Sequence, residues 1–418
     1  MCVLNNKILL KSSRLVCFLP KPWYLFWAQG MLKAMAAHVP ILLVAPPIDM
    51  LTSAIRPSRL INRLKRYQRL TQINPSLHLF EPFGLVSYGA TYRFPIFAHI
   101  NRTLLRRQVL KVLSELPAYK YLIVHSFIAQ QYYAMGVLNP DLCIFDIPDE
   151  FYADLKDEEI DFKRPQTIRY RQFEKKMLDK ADLVFVSSHG LYASRSKLHS
   201  RVMRIPVDCV DFELFSQARS NDLSVPDDIK AVPASRIGFV GNINELLDLE
   251  LLIQLAIQRP QQSLVLVGAV NGQRAFKRCL QYQQLMKLPN VYHLGWRPYE
   301  TLPSYIKAMD VCLMPYRLNA WMRNAHLNKT YQYLAAGKPV VSTAFPEVLR
   351  LDKVIAVARN ATDFIKAVDA SLKEMGTDKD IENRVAIGYE NSSVARAKQR
   401  AKVIEEFILN SKSSLNKI

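Results

Sequence analysis

Residues 328–343 read NKTYQYLAAGKPVVST, and this stretch predicts a helix that leads directly into a buried strand. The helix should run from Thr330 to Ala336, and Gly337 suits the left-handed conformation that commonly follows a helix end. Pro339 cannot continue a helix, and the two valines after it favour a strand.

Two polar side chains, Lys329 and Gln332, lie three residues apart on one face of this predicted helix, near its start. The helix dipole favours anions there, so Lys329 could contact a diphosphate and Gln332 could bond to sugar hydroxyls. The alternative is a solvated helix face that carries an exposed lysine and glutamine. The stretch by itself leaves both interpretations open.

Short apolar runs alternate with helical patterns along the rest of the chain, which predicts parallel sheets covered on both faces. The predicted strands of the first series are 14–19, 40–46, 77–82, 121–126, 142–147 and 182–188. Those of the second series are 236–243, 263–270, 290–296, 310–316, 338–343 and 353–358. We therefore expect an α/β fold with two Rossmann-like domains that face a central cleft, where the strand ends bind ligands.

The length of 418 residues also favours two domains. A polar stretch with two prolines separates the two series and is the predicted linker. The predicted units are an N-terminal domain at 1–215, the linker at 216–234, a C-terminal domain at 235–385 and a C-terminal helix at 386–418. One arrangement open to that helix is to pack back on the N-terminal domain. Gly388 and Ser392–Ser393 are expected breaks in the helical pattern of 381–409.

The net charge of +19 indicates a polyanionic partner, which is nucleic acid, an anionic membrane or a phosphorylated substrate. Residues 56–70 (RPSRLINRLKRYQRL) would form a basic amphipathic helix typical of membrane surfaces. Residues 21–27 (KPWYLFW) place aromatic rings beside a lysine, which suits a lipid headgroup interface. The alternatives are core packing with a solvated basic face and a charge that serves solubility alone.

The apolar runs and the cysteines argue against several other classes of protein. A membrane-spanning helix is not expected, because no apolar run is long enough, and polar residues at 11–14 argue against a signal peptide. The six cysteines show no paired spacing, which fits reduced thiols better than disulfides or zinc ligands.

The second series opens with GFVGN at 238–242. Gly241 would let a ligand approach the backbone beside Asn242, and the start of a following helix would accept a phosphate. The motif is shorter than G-x-G-x-x-G and differs from a Walker loop, so a tight strand-to-helix turn is the alternative.

The stretch at 328–343 resembles the nucleotide-sugar segment of GT-B glycosyltransferases of the large group-1 (family four) class, roughly K-x-x-E-Y/A-x-A-x-G-x-P-V-V. IGFVGNINELLDLELL, SLVLVGAV and VMRIPVDCVDFELF resemble three further family elements in order and spacing, and the similarity covers most of 121–350. The resemblance implies a GT-B fold with the acceptor in the N-terminal domain and a nucleotide-sugar donor in the C-terminal domain. It implies donor contacts at Gly241, Asn242, Lys329 and Gln332, with Arg297 and Arg323 as further candidates for the phosphates.

The chain departs from this family pattern at three positions. Many retaining members carry two glutamates eight positions apart, where this chain has Asn324 and Gln332. An amide still bonds to hydroxyl groups but cannot stabilise a cationic sugar transition state by charge. Cys209 replaces a family glycine, so the turn there is expected to differ. The K-x-x-Q version is similar to certain inverting bacterial exopolysaccharide transferases, including glucuronosyltransferases that add to lipid-linked sugars.

An inverting enzyme needs a general base on the acceptor side of the cleft. FDIPDEF at 145–151 follows a predicted strand and resembles the Y-D-x-x-D-x-F segment of these transferases. We expect Asp149 to be the base and Asp146 its structural partner or alternate. His125, at the end of YLIVH, is a second candidate, and His189 could border the donor cleft. The alternatives are an acidic turn that caps the next helix and histidines with structural roles.

These features predict a hexosyl- or glucuronosyltransferase that moves a sugar from a nucleotide diphosphate sugar to a lipid-linked or polysaccharide acceptor in exopolysaccharide or cell-surface glycan biosynthesis. We expect a peripheral protein at the cytoplasmic face of an anionic membrane. The resemblance implies no cofactor besides the donor and no bound metal. The alternatives are a GT-B-shaped nucleotide-sugar epimerase and a basic nucleic-acid-binding protein, and the sequence carries no recognised motif for the latter.

Overall fold

The computed structural model describes residues 9–49, 69–85, 95–153, 158–271, 276, 278–373 and 377–415. The basic segment 56–70 lies outside these residues except for its last two positions. Within the described ranges, no helix combines the length and the apolar character needed to cross a bilayer.

The first domain is built on an eight-stranded sheet with the order β10-β9-β8-β7-β1-β2-β5-β4, in which only β4 and β5 pair antiparallel. Its strands are β1 (Ser13–Phe18), β2 (Ile41–Val44), β4 (Leu70–Asn74), β5 (Leu77–Phe80), β7 (Tyr121–Ser126), β8 (Leu142–Ile147), β9 (Leu183–Val186) and β10 (Val202–Arg204); β3 (Ile48–Asp49) and β6 (Phe83–Gly84) pair separately. Its described helices are α1 (Gln29–Met35), α2 (Pro95–Glu115), α3 (Tyr132–Met135), α4 (Pro165–Leu178) and α5 (His189–Arg195). Apolar side chains fill both faces of the sheet, as expected for parallel strands covered by helices.

The second domain has a six-stranded parallel sheet with the order β13-β12-β11-β14-β15-β16. Its strands are β11 (Arg236–Val240), β12 (Ser263–Val267), β13 (Val291–Gly295), β14 (Val311–Met314), β15 (Val340–Thr343) and β16 (Ala356–Ala358). Its described helices are α6 (Phe212–Ser216), α7 (Asp227–Lys230), α8 (Leu249–Gln258), α9 (Leu280–Met286), α10 (Leu302–Lys307), α11 (Asn328–Ala335), α12 (Ala361–Lys373) and α13 (Asp378–Glu390), followed by α14 (Ser393–Leu415). The predicted α/β architecture with two Rossmann-like sheets is confirmed.

The predicted linker at 216–234 is part of the second hydrophobic core. Ala218, Ile229 and Val232 are buried there together with Phe215, although the residues around them are polar. The polar composition conceals these isolated apolar positions, which anchor short helical turns instead of a regular element. The chain therefore enters the second core about twenty residues before β11 begins.

The helical pattern at 381–409 divides into α13 and α14 at Asn391–Ser392. Gly388 is not a break, because it lies inside α13. A Cβ atom there would come within 2.7 Å of the backbone nitrogen of Ala335, at the end of α11. The glycine thus lets α13 pack closely against α11.

The last helix, α14, returns to the first domain and packs beside α1. Its buried residues Ala397, Ala401, Ile404 and Ile408 belong to the same core as β1 and β2. The second domain is therefore attached to the first both through the chain before β11 and through α14.

Candidate active site

The carboxyl ends of strands from both sheets border one cavity of about 940 Å³. Its lining includes Trp27, Asp149 and Asp208 from the first domain and Gly241, Gly268, Lys329 and Gln332 from the second. Ligand pockets typically measure roughly 300–1,000 Å³, so this cavity has room for a large ligand or for two ligands side by side.

Two glycines at the ends of β11 and β12 bring backbone to the cavity surface. Gly241 and Gly268 have φ angles of 151° and 150°, which favour glycine. A Cβ atom on Gly268 would lie 1.9 Å from the Gly241 carbonyl oxygen, and one on Gly241 would lie 2.3 Å from the Lys329 Nζ. Any side chain at Gly241 would therefore displace the lysine amine.

The amine of Lys329 has no carboxylate partner among the described residues to balance a positive charge. Its Nζ lies 4.1 Å from the ring centroid of Phe239 and 5.2 Å from that of Tyr316. Burial lowers the pKa of Lys329 to about 7, because the charged amine has lost water without gaining an ion pair. An anion in the cavity would supply the missing partner.

The start of α11 adds hydrogen-bond donors beside this lysine. Leu327, which precedes the helix, provides no side-chain cap, and Leu327, Asn328 and Lys329 all line the cavity. Backbone N–H groups at a helix start favour anions where they have no partner within the helix. In α11 the Thr330 N–H already donates to the Leu327 carbonyl oxygen at 3.1 Å, so the N–H groups of Asn328 and Lys329 are the donors concerned. The helix start and the lysine together form an anion site.

The helix that follows GFVGN does not take this role. α8 begins only at Leu249, and the Asp248 side chain caps it by accepting a hydrogen bond of 3.0 Å from Leu251 N. The expectation that the helix after Gly241 and Asn242 accepts a phosphate is wrong, because its own N-cap carboxylate occupies that end.

On the opposite wall, Asp149 follows β8 and is half-buried. Burial and the neighbouring Glu150 raise the pKa of Asp149 to about 6, and Lys21 partly opposes them. Glu150 points away from the cavity and forms a buried ion pair of 2.7 Å with Arg195, which also binds Glu174. The ion pair fixes the loop that presents Asp149.

Comparison with known proteins agrees with this architecture. Residues 234–374 match the family described as "Glycosyl transferases group 1". Sucrose-phosphate synthase from Thermosynechococcus elongatus superposes with a TM-score of 0.65 at 15% identity over 95% of this chain and 100% of that one. Anabaena HepE in complex with UDP gives 0.61 at 14% identity, over 94% and 100%. The chain has the GT-B fold.

One curated relative is "Putative teichuronic acid biosynthesis glycosyltransferase TuaH" of Bacillus subtilis strain 168. It is 29% identical over 230 residues, which are 51% of this GT-B chain and 54% of the relative. The alignment thus spans about half the length of that protein. The family match at 234–374 covers most of the second domain and confirms the predicted group-1 resemblance there.

Three predicted donor contacts of the GT-B chain, besides Gly241 and Lys329, also line the cavity. Gln332 is buried and bonds to the Tyr299 hydroxyl. Asn242 accepts a hydrogen bond of 2.8 Å from Asn271. Arg297 is already engaged, because its guanidinium binds Asp228 and the Tyr305 hydroxyl. Its charge is therefore balanced before any ligand arrives.

Asn324 and Arg323 lie apart from the cavity lining. A Cβ atom on Gly190, in α5, would lie 2.2 Å from Asn324 Oδ1 and 3.3 Å from the Arg323 carbonyl oxygen. The structure therefore places both residues at a contact between the domains and does not support their assignment to the donor site. The eight-residue spacing misleads because Asn324 ends a separate 3-10 helix, Met322–Asn324, before α11 begins.

Asp146 and His125 form a buried network behind the cavity and do not line it. His125 Nε2 lies 2.8 Å from Asp146 Oδ2, and Arg400 of α14 donates to both carboxylate oxygens. Burial opposes ionisation of Asp146, but Arg400 and His125 together hold its pKa below the usual range. Burial lowers the pKa of His125. This geometry supports a structural role for both residues, and neither can reach a ligand in the cavity as a base.

Sequence reasoning missed Asp208, which also lines the cavity. Asn328 Nδ2, at the start of α11, donates a hydrogen bond of 3.1 Å to Asp208 Oδ1. Burial and the nearby Asp149 raise the pKa of Asp208 to about 7. The sequence signal that could have revealed Asp208 is its position: it is an acidic residue directly before Cys209 and shortly after the end of β10.

His189 starts α5 outside the cavity lining, and its backbone N–H donates to Glu347 of the second domain at 3.5 Å. The same carboxylate lies 3.6 Å from both Arg204 and His326. This cluster, which the sequence did not reveal, joins the two domains beside the cavity. Arg204 and His326 both help to hold the pKa of Glu347 below its usual range, against its burial.

Proposed function

We propose that this GT-B chain is a glycosyltransferase that moves a sugar from a nucleoside diphosphate sugar to an acceptor in cell-surface polysaccharide biosynthesis. The observation that carries the proposal is Lys329, a buried amine for which the described residues offer no carboxylate partner. It lies beside the Gly241 backbone and at a helix start without a side-chain cap. Further support comes from the name of the Bacillus subtilis relative and from the UDP and UDP-glucose complexes of Anabaena HepE.

On the donor side, the diphosphate binds Lys329 Nζ and the backbone N–H groups of Asn328 and Lys329 at the start of α11. Gln332 bonds to sugar hydroxyls, and the backbone at Gly241 and Gly268 gives the nucleotide close access to the strand ends. Lys329 and the helix start stabilise the negative charge that develops on the leaving nucleoside diphosphate, so the proposal includes no resident metal.

On the acceptor side, Asp149 is the general base. It takes the proton of the acceptor hydroxyl as that oxygen attacks the anomeric carbon. The bond from this carbon to the phosphate oxygen breaks, and the nucleoside diphosphate leaves with the electron pair. A single displacement of this kind inverts the anomeric configuration.

The finer assignment is a hexosyl or glucuronosyl transfer to a lipid-linked or polysaccharide acceptor at the cytoplasmic face of a membrane. The net charge of +19 over the whole chain supports binding of the protein to an anionic membrane surface. The amide of Gln332, in place of a glutamate, supports a donor pocket that recognises hydroxyl groups without charge.

A thermal-shift screen with UDP-, GDP- and dTDP-linked sugars tests the proposal. A ligand at 100 times its dissociation constant stabilises the folded protein by about 2.7 kcal/mol, which raises the melting temperature by several degrees. We expect one nucleotide series to stabilise the protein and Lys329→Met to remove that shift. Lys287→Met, at an exposed lysine of the same domain, is the matched control. If no nucleotide shifts the wild-type transition, the proposal is wrong.

A further inference from the structure

Three large apolar side chains of the first domain are exposed near the loop that carries Asp149. Phe151, Phe162 and Ile168 show 37%, 50% and 43% of their surface. The two phenylalanines do not stand alone. The ring of Phe151 lies 5.4 Å from that of Tyr170, the ring of Phe162 lies 6.4 Å from that of Tyr152, and the two tyrosine rings lie 5.6 Å apart. A connected apolar surface of this kind on a protein commonly marks an interaction site.

A groove of about 410 Å³ runs beside Phe151. Aromatic residues Phe151, Tyr152 and Tyr170 line it together with Arg164 and Arg169. The rings provide an apolar floor, and the two guanidinium groups place positive charge at its edge. This combination matches an amphiphilic partner with an anionic head.

The outward face of α4 continues the positive charge. Arg169, Arg171, Lys175 and Lys176 are exposed, and Arg171 lies over the Phe162 ring at 5.1 Å. The single carboxylate within α4, Glu174, is buried and bound to Arg195. Five acidic residues of the sequence precede the helix, at positions 154, 157, 158, 159 and 161. One of them, Asp161, lies 4.0 Å from Arg164. Cations thus predominate on the exposed surface of α4 around Ile168, whereas the acids lie in the segment before the helix.

The chain between Asp149 and Phe151 connects this surface to the cavity. The ion pair of Glu150 with Arg195 fixes the loop, with Asp149 in the cavity lining and Phe151 in the groove lining. A partner that contacts Phe151 is therefore held within two residues of the proposed base.

We propose that Phe151, Phe162, Ile168, Arg169 and Arg171, here named the aromatic–basic patch, dock the first domain onto an anionic lipid bilayer. The apolar side chains enter the headgroup region, and the two arginines meet anionic headgroups. The reason for docking rests on the proposed function, because it would bring a lipid-linked acceptor to Asp149. The binding itself can be tested without that function.

The test is co-sedimentation of the full chain with phosphatidylcholine vesicles, with and without phosphatidylglycerol. We expect binding to require phosphatidylglycerol and to weaken with added salt. Phe162→Ser with Ile168→Ser, and separately Arg169→Gln with Arg171→Gln, should each weaken binding by about tenfold or more. All four side chains are exposed, so the melting temperature should stay unchanged.

The matched control is Ile257→Ser with Leu280→Ser, which removes two exposed apolar side chains of the second domain. This control should bind vesicles as the wild type does. Wild-type binding by both patch variants, or no vesicle binding by the wild type, would overturn the proposal. Nucleotide binding, measured on the same preparations, reports on the proposed function separately, so a failure of one is distinguishable from a failure of the other.

Discussion

The amine of Lys329 is a charged group whose surroundings disfavour its charge. Burial lowers the pKa of Lys329 to about 7. A bound diphosphate reverses this effect, because an opposite charge favours the protonated amine. Binding of the ligand and binding of a proton to Lys329 are therefore coupled.

This coupling predicts proton uptake when UDP, or whichever nucleoside diphosphate the screen identifies, binds at pH 8. At that pH only about a tenth of the free protein has a protonated Lys329, so binding should take up close to one proton. Isothermal titration in two buffers with different ionisation enthalpies measures this number. Lys329→Arg, which is charged at all these pH values, should bind without uptake. Uptake that persists in the arginine variant would contradict the account.

As the proposed general base, Asp149 must be deprotonated to accept the proton of the acceptor hydroxyl. Since the pKa of Asp149 is raised to about 6, transferase activity should fall as the pH drops through 6 and level off above it. Asp149→Asn should lower kcat by about 10²–10⁴-fold and leave nucleotide binding intact. The pH–rate profile and the titration check both points. A variant with near-normal kcat would assign the base elsewhere.

Asp208 illustrates the cost of placing two carboxylates in one cavity. Its pKa, about 7 in the folded protein, lies above the ordinary value of 3.8, so the folded state binds the proton more tightly. The free energy of unfolding should therefore decrease as the pH rises from about 4 to about 7. Asp208→Asn should stabilise the protein at pH 8 by on the order of 2 kcal/mol and have little effect at pH 4. Denaturant unfolding at the two pH values measures this, and equal effects at both would contradict it.

At the scale of elements, α14 is joined to the first domain by both apolar packing and a buried charge pair. Arg400 binds Asp146 and the Ile205 carbonyl oxygen in the core. Removal of one partner leaves a buried charge without compensation, which typically costs about 3–5 kcal/mol.

We therefore predict that Arg400→Met destabilises the fold by about 3–5 kcal/mol, measured by denaturant unfolding. Lys398→Met, at an exposed position of the same helix, should change stability by less than about 0.5 kcal/mol. Similar stabilities for the two variants would show that the buried pair does not hold α14 in place.

Elements with apolar runs were predictable from the sequence, and very short or partly polar elements were not. Each of the twelve predicted strands corresponds to an observed strand, including β13 and β16 at the edges of the second sheet. Most of them are parallel strands covered on both faces, which gives continuous apolar runs. β4 escaped detection because it is a half-buried, partly polar edge strand, and β10 because it has three residues. In the same way, Lys329, Gln332, Gly241 and Asp149 belong to local motifs, whereas Asp208 and Glu347 reach the site only through tertiary packing.

At the scale of the whole molecule, two separate walls meet at one cavity. The second domain supplies the anion site at Lys329, and the first supplies Asp149. Glu347 joins the domains beside the cavity through Arg204 and the start of α5. In the proposed function, this arrangement lets a donor and an acceptor approach each other from opposite sides, and the central requirement of that proposal is recognition of a diphosphate.

The most direct test compares equilibrium binding of UDP, GDP and dTDP with that of uridine, guanosine and thymidine, for the wild type and for Lys329→Met. The account predicts that the wild type binds one nucleoside diphosphate much more tightly than its nucleoside, and that Lys329→Met loses most of this difference. Equal affinity of the wild type for a nucleoside and its diphosphate, or an undiminished preference in Lys329→Met, would contradict it.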